Sequence, residues 1–532
     1  MTMRAYNPRR ILYMGFFVVL LFVALVLLML HDLVWFSVLA VPLCVLAMFD
    51  ITQTRKTIPR NFPVLGRLRY LMEFFRPEVH QYFVAGDQSE RPFNREVRDV
   101  VYRRAKNTID TLAFGTEKDL YSIGTEWINQ SLAPTHHLDI DPRITIGTKA
   151  CKQPYSASRL NISAMSFGAL SERAVLALNK GAKIGNFIHN TGEGGLSDHH
   201  LAGGGDLTWQ IGTGYFGCRN VDGQFDEKKF AANAKLPTVK TIEIKLSQGA
   251  KPAHGGILPA CKVTEEISRV RGVPMGEDVV SPPAHSAFST PEGLLKFVQK
   301  LRKLSGGKPV GFKLCLGKKS EFMAICKAML STKILPDFIT VDGAEGGSGA
   351  SPVEFTDFVG TPLREGLLYV HNCLVGVNVR DQIKVIASGK IASGFDMVTK
   401  IALGADICNS ARAMLLSLGC IQSQQCNLDT CPTGITTQRK RLQYGLVVDQ
   451  KKIRVAQYHQ HTEDSFLDLV KAMGLKHPSE ITPDLVMHRV DNDTVQSYAQ
   501  MYDFLAPGDL LKAKVPEDYA KDWKKASAKS FN

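Results

Sequence analysis

The 532-residue chain carries no low-complexity segment and no internal repeat with a period of about 20–50 residues, which excludes a solenoid, a propeller or an array. It lacks a disulfide framework too. Its eleven cysteines, an odd number, are scattered from Cys44 to Cys431, whereas secreted disulfide scaffolds are small and cysteine-dense, so a reducing compartment is expected. Lone cysteines such as Cys315, in an apolar strand, read as small buried hydrophobes. No nucleic-acid-binding motif and no long basic run accompanies the net charge of +13, so nucleic acid is not an expected partner. The basic residues gather near Arg55, Lys56, Arg60, Arg67 and Arg69 and again at Lys512, Lys514, Lys521, Lys524 and Lys525. Anionic lipid headgroups or an acidic partner suit such patches; for the tail, a solvated surface is the plain alternative.

Charge is missing altogether near the start. Ile11 to Leu30 is twenty residues without a charge, and Leu33 to Phe49 is a second apolar run of seventeen, with only His31 and Asp32 between them. A membrane span needs about 20 apolar residues, so the pair predicts a transmembrane helical hairpin over 1–55. Arg4, Arg9 and Arg10 precede it and Arg55, Lys56 and Arg60 follow it. Basic flanks on both sides place both ends, and the rest of the chain, on the cytoplasmic side of an inner membrane. A cleaved signal peptide would show one shorter apolar core and a small-residue cleavage site; a buried soluble hairpin is the other alternative. Pro42 in the second run is tolerable in a membrane helix.

Residues 56–155 mix charged helical stretches with short loops and predict an N-terminal extension packed on the domain beyond it. From about 156 to 440 short apolar strands alternate with helical stretches. The strands expected are 160–165, 186–191, 207–211, 241–246, 310–315, 337–341, 383–387 and 406–409, with helices at 171–183, 291–304, 321–330 and 395–403 among those between them. Eight such units imply an α/β fold, a closed (β/α)8 TIM barrel with helical extensions. An open doubly wound sheet would need a glycine fingerprint opening an early helix, and the first strand is followed by Met165-Ser166-Phe167-Gly168 instead. The polar C-terminal stretch 441–532 predicts helices outside the barrel.

Polar and glycine-rich residues follow these strands, on the face where barrels carry their chemistry. The seventh strand runs into Ser388 and Gly389 and the eighth into Asn409 and Ser410; small residues there let backbone N–H groups approach a phosphate. Ordinary βα turns also favour such residues. Lys313, ending the fifth strand, can stabilise negative charge developing on a flavin ring, or be a lysine snorkelling from a strand end. Just beyond the eighth strand come Cys420, Cys426 and Cys431. Three close cysteines suit an iron–sulfur cluster held by three thiolates; zinc would need a fourth ligand, and no histidine stands at a convenient spacing. Three buried structural thiols are the bland reading. A flavin beside a cluster means electron transfer.

Several runs together resemble the synthase domain of glutamate synthase: Ser163-Ala-Met-Ser-Phe-Gly168, Asn190-Thr-Gly-Glu-Gly-Gly195, Glu243-Ile-Lys-Leu-Ser-Gln-Gly-Ala-Lys-Pro252, Ser281-Pro-Pro-Ala-His285, Gly346-Gly-Ser-Gly-Ala-Ser-Pro352, and the cysteine trio with Pro432. The resemblance implies an FMN-binding barrel with a 3Fe–4S cluster that reduces 2-iminoglutarate, formed from 2-oxoglutarate and ammonia, to L-glutamate. It implies cluster ligation by Cys420, Cys426 and Cys431. It implies substrate contacts at Lys245, Gln248 and Lys251, and an imine-orienting or proton-relaying role for Glu193. Met165 and Ser166, and more loosely Gln210, match flavin-ring contacts, while Gly346 and Gly347 fall in a matching cofactor loop.

The chain departs from the family in three respects. Asn409-Ser410-Ala411 stands where the larger synthases have Gly-Phe-Gly, so side chains there are expected to take part in phosphate binding. An amidotransferase domain needs an N-terminal nucleophilic cysteine, and Thr2 follows Met1; ammonia is therefore expected free or from a partner. No Rossmann-type unit for NADPH is visible, so the donor is expected to be external: an acidic carrier such as ferredoxin, or a quinone. A dehydrogenase of another amino or oxo acid feeding a membrane carrier is the alternative within the same chemistry. A non-catalytic redox sensor is the alternative outside it.

Overall fold

The computed structural model of the chain describes residues 8–29, 34–136, 141–347 and 349–531, with side chains described at 15–26 and 38–52 in the first two helices. The chain divides into two compact units, residues 1–96 and 97–532, so the segment 56–155 contributes to both.

In the first unit, helices Pro8–Met29 and Val34–Thr52 pack side by side. Most of the buried positions are small (Ala24, Ala40, Cys44 and Ala47); Asp50 and Ile51 are buried at the end of the second helix. Phe16, Val19, Phe22, Leu39 and Phe49 are exposed. Among the described residues no helix is long and apolar enough to cross a membrane. The expected spanning hairpin is therefore not supported by the fold, and its turn at His31 and Asp32 and the flanking Arg4 lie outside the described residues.

The second unit holds the barrel. Its strands are β1 Leu160–Ile162, β2 His189–Asn190, β3 Leu207–Ile211, β4 Val239–Lys245, β5 Val310–Leu314, β6 Phe338–Asp342, β7 Lys384–Ser388 and β8 Ile407–Ser410. Each pairs in parallel with the next, and β8 closes on β1. Most of their residues are buried on both faces, which is why they read as near-continuous apolar runs. All eight expected strands are present. Two are much shorter than expected. β1 stops at Ile162, and β2 shrinks to two residues because the preceding helix runs to Gly185 and ends on left-handed Asn186 (φ 52°), while beyond it the chain turns at Gly192, whose φ of 64° and close approach to the Ser166 backbone exclude a side chain. The expected helices occur as Glu172–Gly185, Pro291–Leu304, Lys319–Thr332 and Gly394–Ala402.

An antiparallel pair, Ile144–Ile146 with Tyr155–Ala157, closes the bottom of the barrel. Ile146, Tyr155 and Ala157 join Ile188, Phe338, Ile386 and Ile407 in one apolar cluster. Asp337 fastens this end. One carboxylate oxygen accepts from the Thr148 amide and hydroxyl, the other from Arg302 and the Val310 amide.

The segment after 441 begins as expected, with the long helix Val448–Ala472 lying against Glu172–Gly185, Gly394–Ala402 and Arg412–Leu418 outside the barrel. It then departs from the helical expectation. Val486–Arg489 and Val495–Ser497 form a three-stranded antiparallel sheet with Glu126–Ile128. These strands are short and half-exposed, and their partner precedes the barrel, so no local apolar period marks them.

Candidate active site

Four cationic and three anionic side chains converge at the C-terminal ends of the strands. Glu193 follows β2, and its Oε1 accepts from Lys245 Nζ at 2.6 Å, at the end of β4. Burial disfavours the carboxylate, but Lys245, and beyond it Arg271 and Lys251, outweigh burial and hold Glu193 below the usual carboxylate range. Lys245 is itself drawn down by burial against the hold of Glu193. Lys251 is buried, donates to the Ala350 carbonyl at 2.7 Å, and is lowered by burial to about 8. Lys313 Nζ lies 3.6 Å from Asp342 Oδ2; burial opposes its charge, and Asp342, Glu243 and Glu193 together reverse the effect and raise its pKa. Gln248 is half-buried on the same loop, its carbonyl accepting from the Lys251 amide.

Two glycines shape this pair. A Cβ on Gly256 would stand 2.3 Å from Glu193 Oε1, and one on Gly212 would stand 2.7 Å from Glu193 Cβ. Gly256→Ala is therefore expected to push Glu193 off Lys245 and to cost about 10²-fold in turnover, with an unchanged far-ultraviolet circular dichroism spectrum as the check on folding.

Gln210, matched loosely to a flavin-ring contact, makes a side-chain bond within the barrel. Its Nε2 donates to Glu243 Oε2 at 2.6 Å, inside the barrel. Glu243 also accepts from Asn190 at 2.7 Å and from Thr340 at 2.7 Å. It is an ionisable group that sequence reading missed: three donors satisfy a fully buried carboxylate beneath Lys245 and Lys313. Arg271 was missed as well. Ending the short helix Glu265–Arg271, it is buried and donates to the Phe167 carbonyl at 3.0 Å and the Ser166 hydroxyl at 3.4 Å. Burial lowers it to about 10. His285 donates or accepts at both ring nitrogens, with the Lys245 carbonyl at 2.8 Å and the Tyr215 hydroxyl at 3.1 Å, and burial lowers it to about 4. It props the end of β4 as a neutral ring.

On the other side of the mouth, Ser388 Oγ and Ser163 Oγ lie 3.1 Å apart, and Ser410 Oγ donates to the Ile391 carbonyl at 2.6 Å. Both hydroxyls thus serve the barrel. Asn409 is buried beside Ser388 in register. The helix after β7 is capped internally, since Asp396 accepts from the Ala392 and Ser393 amides. No side chain caps the helix Arg412–Leu418 after β8. Backbone amides near Gly389, and side chains in Asn409-Ser410-Ala411, are the phosphate contacts expected from the sequence; at this end the Ser388 and Ser410 hydroxyls bond to Ser163 and to the Ile391 carbonyl.

Cys420, Cys426 and Cys431 lie on the loop that leaves this helix. Buried Lys262 fastens the loop, donating to the Cys426 carbonyl at 2.6 Å, the Thr436 carbonyl at 2.7 Å and the Ala169 carbonyl at 3.4 Å. Gln438 adds bonds to the carbonyls of Gly168 and Leu170. The cysteine loop is thus stitched to the loop carrying Met165 and Ser166, both half-buried. The loop after β6 approaches the cysteine loop and the helix after β8. A Cβ on Gly349 would sit 3.6 Å from the Cys426 carbonyl oxygen, one on Gly347 would meet the Arg412 side chain, and one on Gly346 would meet Gly343 and Ala250; Ser348 lies outside the described residues. Thiolates on one zinc ion stand about 4 Å apart. Among the described residues the only ligand trio drawn within 4.8 Å is Glu172, His199 and Glu266. The three cysteine sulfurs are not all within that distance of one another.

Comparison with known proteins agrees with this architecture. Residues 95–476 match the family model described as the conserved region in glutamate synthase. The chain is 34% identical over 502 residues to the glutamate synthase large subunit-like protein YerD of Bacillus subtilis, covering 86% of this chain and 95% of that protein. It is 34% identical over 315 residues to the archaeal glutamate synthase [NADPH] of Methanocaldococcus jannaschii, covering 59% of this chain and 58% of that one, so it spans under two thirds of that relative. A mutant flavocytochrome b2 with pyruvate bound resembles it at a TM-score of 0.42 and 14% identity, over 84% of this chain and 94% of that chain, a distance at which neither ligand nor activity carries over. With most of its length inside the matched region, the chain belongs to the glutamate synthase family of oxidoreductases.

Proposed function

We propose that the chain reduces 2-iminoglutarate, formed from 2-oxoglutarate and ammonia, to L-glutamate, using FMN and a 3Fe–4S cluster and an external electron donor. One observation carries this reading. Among the described residues, Lys245, Lys251, Lys313 and Arg271 stand with Glu193, Glu243 and Asp342 in a buried mouth, and Arg412 faces Asp342 and Glu345 beside them, so the site has a positive surplus suited to anionic ligands. A dicarboxylate and a flavin phosphate are such ligands. Bound there, FMN would supply a hydride and the cluster a one-electron relay.

The cluster would be held by Cys420, Cys426 and Cys431. FMN would lie against Met165 and Ser166, with Lys313 near the ring and Gly389 and Ala411 amides at the phosphate. Lys251 and Arg271 bind the carboxylates of the substrate. Reduction places hydride on the imine carbon and a proton on its nitrogen; the Glu193–Lys245 pair holds that proton at Lys245 Nζ, 2.6 Å from Glu193 Oε1. Gln248 closes the same loop over the substrate.

The Lys251 value sets a pH limb. Its ammonium form, which attracts the dicarboxylate, predominates below about 8 and is lost as pH rises through about 8. At saturating ammonia, kcat/KM for 2-oxoglutarate is expected to fall about tenfold per pH unit above that point, and Lys251→Met is expected to abolish the limb while lowering kcat/KM below it.

Membrane attachment belongs to this proposal. Small buried residues between the two N-terminal helices and large apolar ones facing outward invert the pattern of a soluble protein and suit lipid packing. In the sequence the uncharged run 11–30 has the length of a span, although among the described residues no helix is long and apolar enough to cross a membrane. An inner-membrane location with the barrel on the cytoplasmic side follows from the basic flanks. Ferredoxin, matched to the net charge of +13, or a membrane quinone are the donors that suit it. Purified full-length protein given a reduced carrier, 2-oxoglutarate and ammonium is expected to form glutamate; turnover with a different amino or oxo acid and none with this pair would refute the substrate assignment.

A further inference from the structure

The first unit carries a feature that neither the family nor the proposed reaction uses. Helix Leu65–Val79 and the π-helical turn His80–Val84 expose a continuous apolar stripe. Leu65, Leu68, Leu71, Met72, Phe75 and Val79 recur at helical spacing on one side, and Phe83 extends them. Met72 is 68% exposed and Phe83 85% exposed. Isolated exposed apolar residues are ordinary on protein surfaces; a stripe of this length marks an interaction surface.

The charges beside it are mostly basic. From residue 53 to 84 the chain has Arg55, Lys56, Arg60, Arg67, Arg69 and Arg76 against Glu73 and Glu78. On a helical wheel Arg69 and Arg76 border one edge of the stripe, Arg69 paired with Glu73 at 3.0 Å, and Glu78 borders the other; long basic side chains at such an edge reach headgroups while their stems cover apolar surface. The helix is also fixed in place. Buried Asp50, near the end of helix Val34–Thr52, accepts two hydrogen bonds from Arg67 at 2.7 and 2.9 Å and one from the Val64 amide at 3.1 Å. The amphipathic helix is thereby clamped to the end of the second apolar helix.

We infer that helix Leu65–Val79 lies in the headgroup layer of an anionic membrane, with its apolar stripe in the acyl boundary and its arginines on lipid phosphates. The occupant of this face is lipid rather than protein because the stripe is wide, flanked by more basic than acidic side chains and joined to an apolar helix pair. The inference goes beyond the proposed reaction and does not require the N-terminal helices to span.

The test uses the full chain. Phe75→Trp introduces a reporter, with Leu68→Trp as the second position should the first fail to fold. Each variant is placed in vesicles of equal parts phosphatidylcholine and phosphatidylglycerol, with bromine at shallow or deep acyl positions, and the emission of the parent protein is subtracted. The reporter is expected to be quenched by shallow bromines more than by deep ones and to be shielded from aqueous iodide. Arg69→Glu with Arg76→Glu is expected to weaken the shallow quenching. Quenching by iodide and not by bromolipid overturns the inference. Shielding from both quenchers overturns it too, since the stripe is then covered by protein, either residues 97–532 or a second copy. Release of the protein by alkaline carbonate, with shallow quenching retained at neutral pH, overturns the spanning hairpin and leaves this inference standing.

Discussion

Glu193→Gln is expected to lower glutamate formation by about 10²- to 10³-fold while leaving flavin content unchanged. The substitution keeps the shape of the side chain and removes its charge. Lys245 Nζ then loses the partner at 2.6 Å that keeps it protonated against burial, and the proton needed at the substrate nitrogen is no longer held. Lys245→Met is expected to cost a similar factor, and the double variant little more than either single one, because the two residues act as a unit. Steady-state kinetics at saturating ammonia measures all three. An additive loss in the double variant would show that the pair does not share one task.

Cys431→Ser is expected to abolish turnover with any protein carrier and to remove the iron–sulfur absorption and paramagnetic signals, with flavin retained. Cys431 is the most buried of the three thiols; at this position hydrogen bonds from Thr433 and Thr436 outweigh burial, whereas burial raises Cys420 to about 11 and raises Cys426. The loop itself stays anchored through Lys262 and Gln438, so the lesion is confined to the metal. Flavin reduced chemically in this variant is expected to remain competent for one turnover. That split separates the delivery of electrons from their use. Iron analysis together with a turnover assay checks both halves.

The barrel was legible because burial on both strand faces leaves long apolar runs, as in Leu207–Ile211, where the expected and observed bounds coincide. The positions of the cysteine trio and of Lys245 and Lys251 were legible because they sit at strand ends or in short motifs. What escaped reading has a common cause. Glu243 lies in Thr-Ile-Glu-Ile-Lys, where alternation suggests a solvent face; its burial depends on Asn190, Gln210 and Thr340, on three other strands. Arg271 closes a charged helical turn, Glu-Glu-Ile-Ser-Arg-Val-Arg, that reads as surface, and only the fold brings it to Ser166. Gln210 was matched loosely to a flavin-ring contact through the family resemblance, and Ser410 to the phosphate end by its place after a strand; in the fold they donate to Glu243 and to the Ile391 carbonyl. The strand Val486–Arg489 was hidden because its partner, Glu126–Ile128, lies on the far side of the barrel sequence.

The proposed substrate chemistry meets its most direct test in a single turnover that needs no carrier. Full-length protein is reduced anaerobically by dithionite, freed of excess reductant, and mixed with 2-oxoglutarate and ammonium. The expected result is reoxidation of the flavin band only when both substrates are present, with glutamate formed in proportion to the electrons stored in flavin and cluster. A flavin that stays reduced with this pair and is reoxidised by another oxo acid or by a quinone alone would contradict the account.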